Sequence, residues 1–394
     1  MSKENSVVIV SATRTPMGGM QGDFAAMTAP QLGSVAIKGA LDAASVSGND
    51  IDELYFGNVV SAGVKQAPAR QASLGAGVSE STPTTTISKV CGSGMKAIMI
   101  GRDQIAAGNG DIIMTGGMEN MSVTPYLLPK GRSGLRLGHG EVIDSLLSDG
   151  LEDAYAGGLM GSFGQATADE FGVTREQMDE YALSSLAKAQ KAVNEGFMKA
   201  EIAPVTLQTR KGEVVVDTDE QPGKAMPEKI PHLKPAFKKD GTVTAANSSS
   251  MSDGAAAVLL MRESTAEAKG VKPLARIVAQ ASHARAPKDF SLAPIGAVTK
   301  VLEKAGWSKD DVDLFEINEA FAVVSMLAIK ELGLDPEKVN VNGGACALGH
   351  PLGASGARIM VTLIHALKRL GKTKGIATLC IGGGEATAMA IEII

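Results

Sequence analysis

The chain is poor in the residues that mark several common classes of protein. Aromatic side chains make up 4% of its 394 residues, with a single tryptophan, and there are only five histidines and three cysteines. Basic residues (38) are outnumbered by acidic ones (43), giving a net charge of −5. The broad cationic face expected of a nucleic-acid binder is therefore missing, although a local basic loop can still serve an anionic ligand. No run of about 18 apolar residues occurs, so no membrane span is expected. The thiols of Cys91, Cys346 and Cys380 are odd in number and widely spaced. They read as reduced cysteines of a cytoplasmic protein, not as a disulfide framework. The first residues lead straight into a β-branched run, with no signal-peptide pattern before it.

What is present is a globular composition, 44% hydrophobic, with 46 glycines that fall in clusters. The length exceeds one ordinary core, so two or three domains are expected. Strand-like and helix-like segments alternate. Short strands are expected over residues 7–10, 54–56, 84–90 and 112–115, and helices over residues 32–44 and 94–107. That alternation predicts an α/β architecture with largely parallel sheets buried on both faces. The two ends of the chain also resemble each other. Ile51-Asp52-Glu53-Leu54 finds a counterpart in Val312-Asp313-Leu314-Phe315, and Gly94 leading to Gly116-Gly117 finds one in Gly356 leading to Gly382-Gly383. Two similar halves follow, residues 1–120 with 248–271 and residues 272–394. Between them, residues 121–247 form an insertion. It has glycine-rich pieces, one strong helix over residues 175–194 and a Lys/Pro-rich stretch over residues 210–239. Its aliphatic content favours an ordered, ligand-covering domain.

Four polar groups stand at the ends of expected strands. Cys91 closes a β-branched run and is followed by Gly92-Ser93-Gly94 and a helix. The unpaired N–H groups at a helix N-terminus would lower its pKa and keep some thiolate at neutral pH. A small buried cysteine in a tight turn reads equally well there. His350 lies in the most glycine-rich loop, Asn342-Gly343-Gly344 to Gly349-His350-Pro351. Histidine is the usual base for a thiol near neutral pH, though a lone histidine is more often structural. Cys380 ends a strand before Gly382-Gly383-Gly384, whose amides could receive an oxyanion; it also fits a core strand. Asn318, in Glu316-Ile317-Asn318-Glu319-Ala320-Phe321, could orient a water or substrate, or simply cap a helix. Cys346 reads as core filler.

Together the segments 90–97, 318–322, 342–358 and 380–384 resemble the signature motifs of thiolases, and the likeness runs from Ser11-Ala12-Thr13-Arg14 to the last strand. The resemblance implies a thiolase fold: two similar βαβαβαββ halves stacked as αβαβα layers, with the inserted domain over the active site. It implies that Cys91 accepts the acyl group, that His350 activates it, and that Cys380 moves the methyl proton of acetyl-CoA. Asn318 would hold a water that forms one oxyanion hole with His350. The amides of Cys91 and Gly382 would form the other. Ser249, in a segment similar to the family's Asn-x-Ser-Gly-x-Asn-Asp-Gly, would face the pantetheine arm, and Met160, Phe237 and Phe321 would contact the substrate. The chain departs from the family pattern at Leu159-Met160-Gly161, where many short-chain members carry His-Met-Gly. It also departs over residues 221–229, where Lys224 or Lys229 would replace a missing arginine at the nucleotide phosphates. The implied activity is acetyl-CoA C-acetyltransferase, with a 3-ketoacyl-CoA thiolase for longer chains as the alternative. Coenzyme A enters as substrate and product, with no further cofactor and no metal, and acyl-CoA molecules are the partners. Thiolases are commonly homo-oligomers, dimers or tetramers, and neither nucleic acid nor membrane is expected as a partner.

Overall fold

The structure is a computed structural model that describes residues 6–394; residues 1–5, which open the expected first half, lie outside the described residues. Strand β1 (Val7–Arg14) is buried at all eight positions, so it can only sit inside a layered core. Helix α1 (Ala29–Ala44) starts where Thr28 and Gln31 form a reciprocal capping box and Pro30 presets the first turn. It buries Leu32, Ala36, Ile37, Ala40 and Leu41 against the sheet. β2 (Glu53–Gly57), α2 (Pro68–Gly75), β3 (Thr84–Ile87), α3 (Ser93–Ala107) and β4 (Ile112–Asn120) follow. After β4 the chain leaves the sheet. It forms α4 (Met160–Glu170) and α5 (Arg175–Asn194), and returns as β5 (Ser252–Arg262). The second half runs β6 (Ala275–Ala284), α6 (Ala293–Ala305), β7 (Leu314–Ile317), α7 (Ala322–Leu332), α8 (Leu352–Leu370), β8 (Lys374–Ile381) and β9 (Glu385–Ile393).

The strands form one sheet in the order β7-β8-β9-β6-β1-β5-β4-β2-β3. Among the described residues, its two halves pair only where Val8 and Ile9 of β1 meet Arg276 and Ala275 of β6. The outer position held by β3 in the first half is marked in the second by a single parallel bridge between Phe315 and Val339. The expectation of largely parallel sheets is corrected here. β2 runs parallel to β3 and β4, and β7 to β8, but the remaining neighbours are antiparallel. Burial on both faces makes a strand read as parallel, whereas direction is set by the connection. β8 and β9 are joined by a tight Gly382-Gly383-Gly384 turn, which permits only antiparallel pairing.

Helices α3 and α8 pack on each other between the two halves of the sheet, and the other helices lie outside, which gives the αβαβα layering. α8 is buried almost all the way round, as a central helix must be. Its approach to α3 requires glycine. A Cβ on Gly356 would lie 2.4 Å from the Met95 nitrogen, and one on Gly94 would lie 2.8 Å from the Ala357 nitrogen. The N-terminal ends of the two central helices therefore meet at backbone distance, close to the loops that hold Cys91 and His350. The segment between β4 and β5 is pinned to β1 by Arg14. Its guanidinium lies 2.6 Å from both Glu201 and Asp219, with all three side chains fully buried.

Candidate active site

Cys91 sits between β3 and α3. The strand expected over residues 84–90 stops at Ile87, because Val90 turns into the left-handed region at φ 47°. That conformation is unfavourable for a β-branched residue and stores strain of about 1–3 kcal/mol. Ser93 braces the turn: its hydroxyl donates to the Val90 carbonyl (2.6 Å) and accepts from the Lys89 amide (2.8 Å). The Lys89 ammonium in turn pairs with Glu385, beyond the glycine turn. The backbone N–H groups of Gly382 and of Cys91 itself lie near the thiol and favour its ionised form. The expected thiolate is not the resting form. Burial pushes the thiol up to about 11, and the two amides offset only part of that. Desolvation outweighs the helix end because Cys91 packs against the apolar clusters that contain Met95 and Leu352.

His350 enters α8 through Gly349, whose φ is +102°; a Cβ there would fall 2.1 Å from the Ser252 hydroxyl. The imidazole is buried. Its Nδ1 lies 2.5 Å from Ser355 Oγ, and its Nε2 lies 3.5 Å from Asn318 Nδ2. Burial, with the Arg358 charge behind it, lowers its pKa to about 3, so the ring rests neutral. Asn318 follows β7. Asn340 fixes the residue before it, accepting from the Ile317 amide (2.8 Å) and donating to the Ile317 carbonyl (2.9 Å). The Asn318 side-chain oxygen is buried with no protein partner. Cys380, on β8, is buried, and its thiol is held well above the usual range by burial and by its proximity to Cys91.

His350, Met160, Phe237, Ser249 and Phe321 face a common chamber of about 510 Å³. Phe237 meets Phe321 edge-on at 6.4 Å. Gly161 makes room for that ring, since a Cβ there would lie 2.0 Å from Phe237. Ser249 is held by its amide on the Ala320 carbonyl (3.0 Å). Lys224 and Lys229 are exposed and line a neighbouring pocket of about 340 Å³ that shares Gln221, Ala245 and Ser250 with the chamber. Lys224 is paired with Glu220 one helical turn earlier. Cys346 is half-buried: it packs against the apolar cluster that contains Phe321 and Val323 and also lines the same neighbouring pocket. Among the described residues, no group of three or more His, Cys, Asp or Glu side chains could hold a metal ion.

Two further residues belong to the site and were not singled out from the sequence. One is Ser355, the partner of His350. The other is Glu119 at the end of β4, a fully buried carboxylate that accepts from Asn58 Nδ2 and from the amides of Val59, Val60 and Gly353. It ties the start of α8 to the loop after β2. Burial lifts it to about 7 against the pull of those amides, and its charge also bears on Cys91. The signal for Glu119 was its place at a strand end, the same signal that marks Cys91 and Cys380.

Comparison with known proteins adds to this geometry. Residues 7–264 match the family described as thiolase, N-terminal domain, and residues 271–393 match thiolase, C-terminal domain. The chain is 50% identical over 387 residues to an acetyl-CoA acetyltransferase of Escherichia coli, covering 98% of each chain. It is 47% identical over 387 residues to one of Pseudomonas aeruginosa, again covering 98% of each. It is 48% identical over 390 residues to the mitochondrial acetyl-CoA acetyltransferase of Bos taurus, covering 98% of this chain and 92% of the other. The crystal structure of the Bacillus anthracis acetyl-CoA acetyltransferase superposes with a TM-score of 0.96 at 43% identity, covering 99% of each chain.

Proposed function

The chain belongs to the thiolase family, and from that premise we propose that it is an acetyl-CoA C-acetyltransferase, joining two acetyl-CoA molecules reversibly into acetoacetyl-CoA and free CoA. The observation that best supports the reading is that two groups bear on one thiol: the Gly382 amide favours its ionised form and Cys380 couples to it electrostatically, while His350 stands neutral against Asn318 at the wall of the chamber.

The protons can be followed through the cycle. His350 Nε2 takes the proton of Cys91, and the thiolate attacks the thioester carbonyl of the first acetyl-CoA. The amides of Cys91 and Gly382 hold the resulting oxyanion. CoA leaves as a thiolate and takes the proton of Cys380, so the acetyl group rests on Cys91 as a thioester. A thioester on Cys91 cannot become a thiolate, so while the acetyl group is in place no charge there opposes ionisation of Cys380. Cys380, now a thiolate, removes a methyl proton from the second acetyl-CoA. The enolate oxygen is met by the Nε2–H of the His350 imidazolium and by a water on Asn318. The enolate carbon attacks the acetyl carbonyl, Cys91 leaves as thiolate and recovers its proton from His350, and Cys380 keeps the methyl proton. The books close with three side chains and CoA.

Met160, Phe237, Phe321 and Ser249 are the proposed walls for the acyl and pantetheine portions, and Lys224 and Lys229 the proposed contacts of the nucleotide. The division into residues 1–120 with 248–271, 121–247 and 272–394 remains our proposal for the domains. We place the enzyme as a homo-oligomer in the cytoplasm; free thiols at all three cysteines accord with a reducing compartment. The deciding experiment is turnover across acyl length. Acetoacetyl-CoA should be cleaved in the presence of CoA, and acetyl-CoA condensed, with kcat/KM falling for longer 3-ketoacyl-CoA substrates. Higher kcat/KM for six carbons or more would instead favour the longer-chain thiolase.

A further inference from the structure

A histidine that must take a proton on one nitrogen has to keep the other occupied, and the structure shows what occupies it. His350 Nδ1 is 2.5 Å from Ser355 Oγ. The same hydroxyl is 2.8 Å from the carbonyl oxygen of Pro351, four residues back at the N-cap of α8. A carbonyl can only accept, so the serine proton points to Pro351, the usual back-bond of a helical serine. Its lone pair then faces Nδ1, which must carry the hydrogen. On the other side of the ring, Asn318 turns its Nδ2 donor toward Nε2 at 3.5 Å. The Ser355 contact selects the tautomer with Nδ1–H and a free lone pair on Nε2, and the Asn318 donor is compatible with it.

We infer that Ser355 is a positioning residue that sets the tautomer of His350. This rests on the reading of His350 as the base of Cys91 and adds an order of events to it. In the resting enzyme Nε2 has no hydrogen, so it can take the Cys91 proton but cannot donate to an oxyanion. Only after that transfer does Nε2–H exist, with Nδ1–H still bonded to Ser355 as an imidazolium requires. The oxyanion hole that His350 shares with the water on Asn318 is therefore armed by deprotonation of the nucleophile, and it is silent while Cys91 keeps its proton.

The test is nitrogen-15 NMR of the full chain labelled at histidine. Five histidines give few signals, and the His350→Gln variant identifies those of His350. His365 serves as an internal reference for the opposite tautomer, because its Nε2 lies 2.9 Å from the Ala12 carbonyl, which can only accept. In the wild type, His350 should show a pyrrole-like Nδ1 and a pyridine-like Nε2. In Ser355→Ala the Nδ1–H loses its acceptor, and the population should move toward Nε2–H. kcat should fall at least about tenfold, within the range of a compromised general base, while KM changes little. A wild-type His350 in the Nε2–H form would overturn the inference without any variant having to fold. So would a Ser355→Ala spectrum unchanged from wild type. Full activity in His350→Gln is a separate outcome: it would remove the base assignment while leaving the tautomer measurement standing.

Discussion

The two central helices are entered in opposite ways. The entry to α3 carries the thiol and holds a β-branched residue, Val90, in the left-handed region, braced by Ser93. The entry to α8 carries the imidazole and uses Gly349 at φ +102°, where no other residue fits against Ser252. One turn stores strain at the proposed nucleophile, and the other removes it beside the proposed base. The difference suggests that repeated geometry was kept while each end was fitted to its task. A nucleophile gains from being forced up to its substrate, whereas a base gains from a fixed ring and a fixed tautomer.

The largest expected effect comes from removing the proposed base. His350→Ala should lower both condensation and thiolysis by about 10²–10⁴-fold in steady-state assays, the range for a lost general base. Next come the two turns themselves. Gly349→Ala should destabilise the fold by about 1–3 kcal/mol in urea titration, because the new methyl meets Ser252 and the backbone is strained. Val90→Gly should behave differently, leaving stability within about 1 kcal/mol of wild type or raising it, while slowing acetylation of Cys91. Equal losses of stability in both variants would erase the contrast between the entries.

Acid should act mainly on the α8 entry. His350 is neutral when folded, with a pKa near 3, and an unfolded histidine titrates near 6.5. The unfolded chain therefore binds the extra proton first, and the stability that the neutral ring contributes is lost as pH falls from 6.5 toward 3. Over that window the Tm of the wild type should fall relative to that of His350→Gln; Glu119, lifted to about 7, is protonated first in the folded state and works in the opposite direction in both proteins. Base should act on the α3 entry: alkylation of Cys91 by iodoacetamide should keep accelerating toward pH 11, where the thiol ionises. A plateau near pH 7 would restore the low-pKa thiolate. The smallest effect is expected far from both turns. Replacing Lys224 and Lys229 by alanine should raise KM for acetyl-CoA a few-fold with kcat unchanged. An unchanged KM would remove both lysines from the site.

Much of this was legible in the residues, and the misses have physical reasons. The helix expected over residues 175–194 is α5, because its periodic run is bounded by a capping box of Thr174 and Gln177. The helix expected from residue 32 starts earlier, at Ala29, since Thr28 and Pro30 are start signals and not part of the apolar pattern. The strand expected to reach Val90 ends at Ile87 because a functional turn overrides β propensity. The helix-end argument for Cys91 had the right position and the wrong sign of pKa shift: a sequence shows where a helix begins but not how dry its first turn is. Ser355 lies five residues from His350, yet only the fold of the loop shows that the two side chains meet. The partnership of Lys224 with Glu220, four residues apart, was within reach of a helical reading of that short segment.

The division of labour between the two cysteines is the central claim, and one variant tests it most directly. Cys380→Ser keeps nearly the same volume and leaves a hydroxyl that is poorly suited to remove a methyl proton. Incubated with acetyl-CoA in deuterated water, it should still gain one acetyl mass on the peptide containing Cys91. It should also lose about 10²-fold or more of its condensation rate and stop exchanging the methyl protons of acetyl-CoA. Wild-type exchange in Cys380→Ser, or an acetyl group found on Cys346 instead of Cys91, would contradict the account.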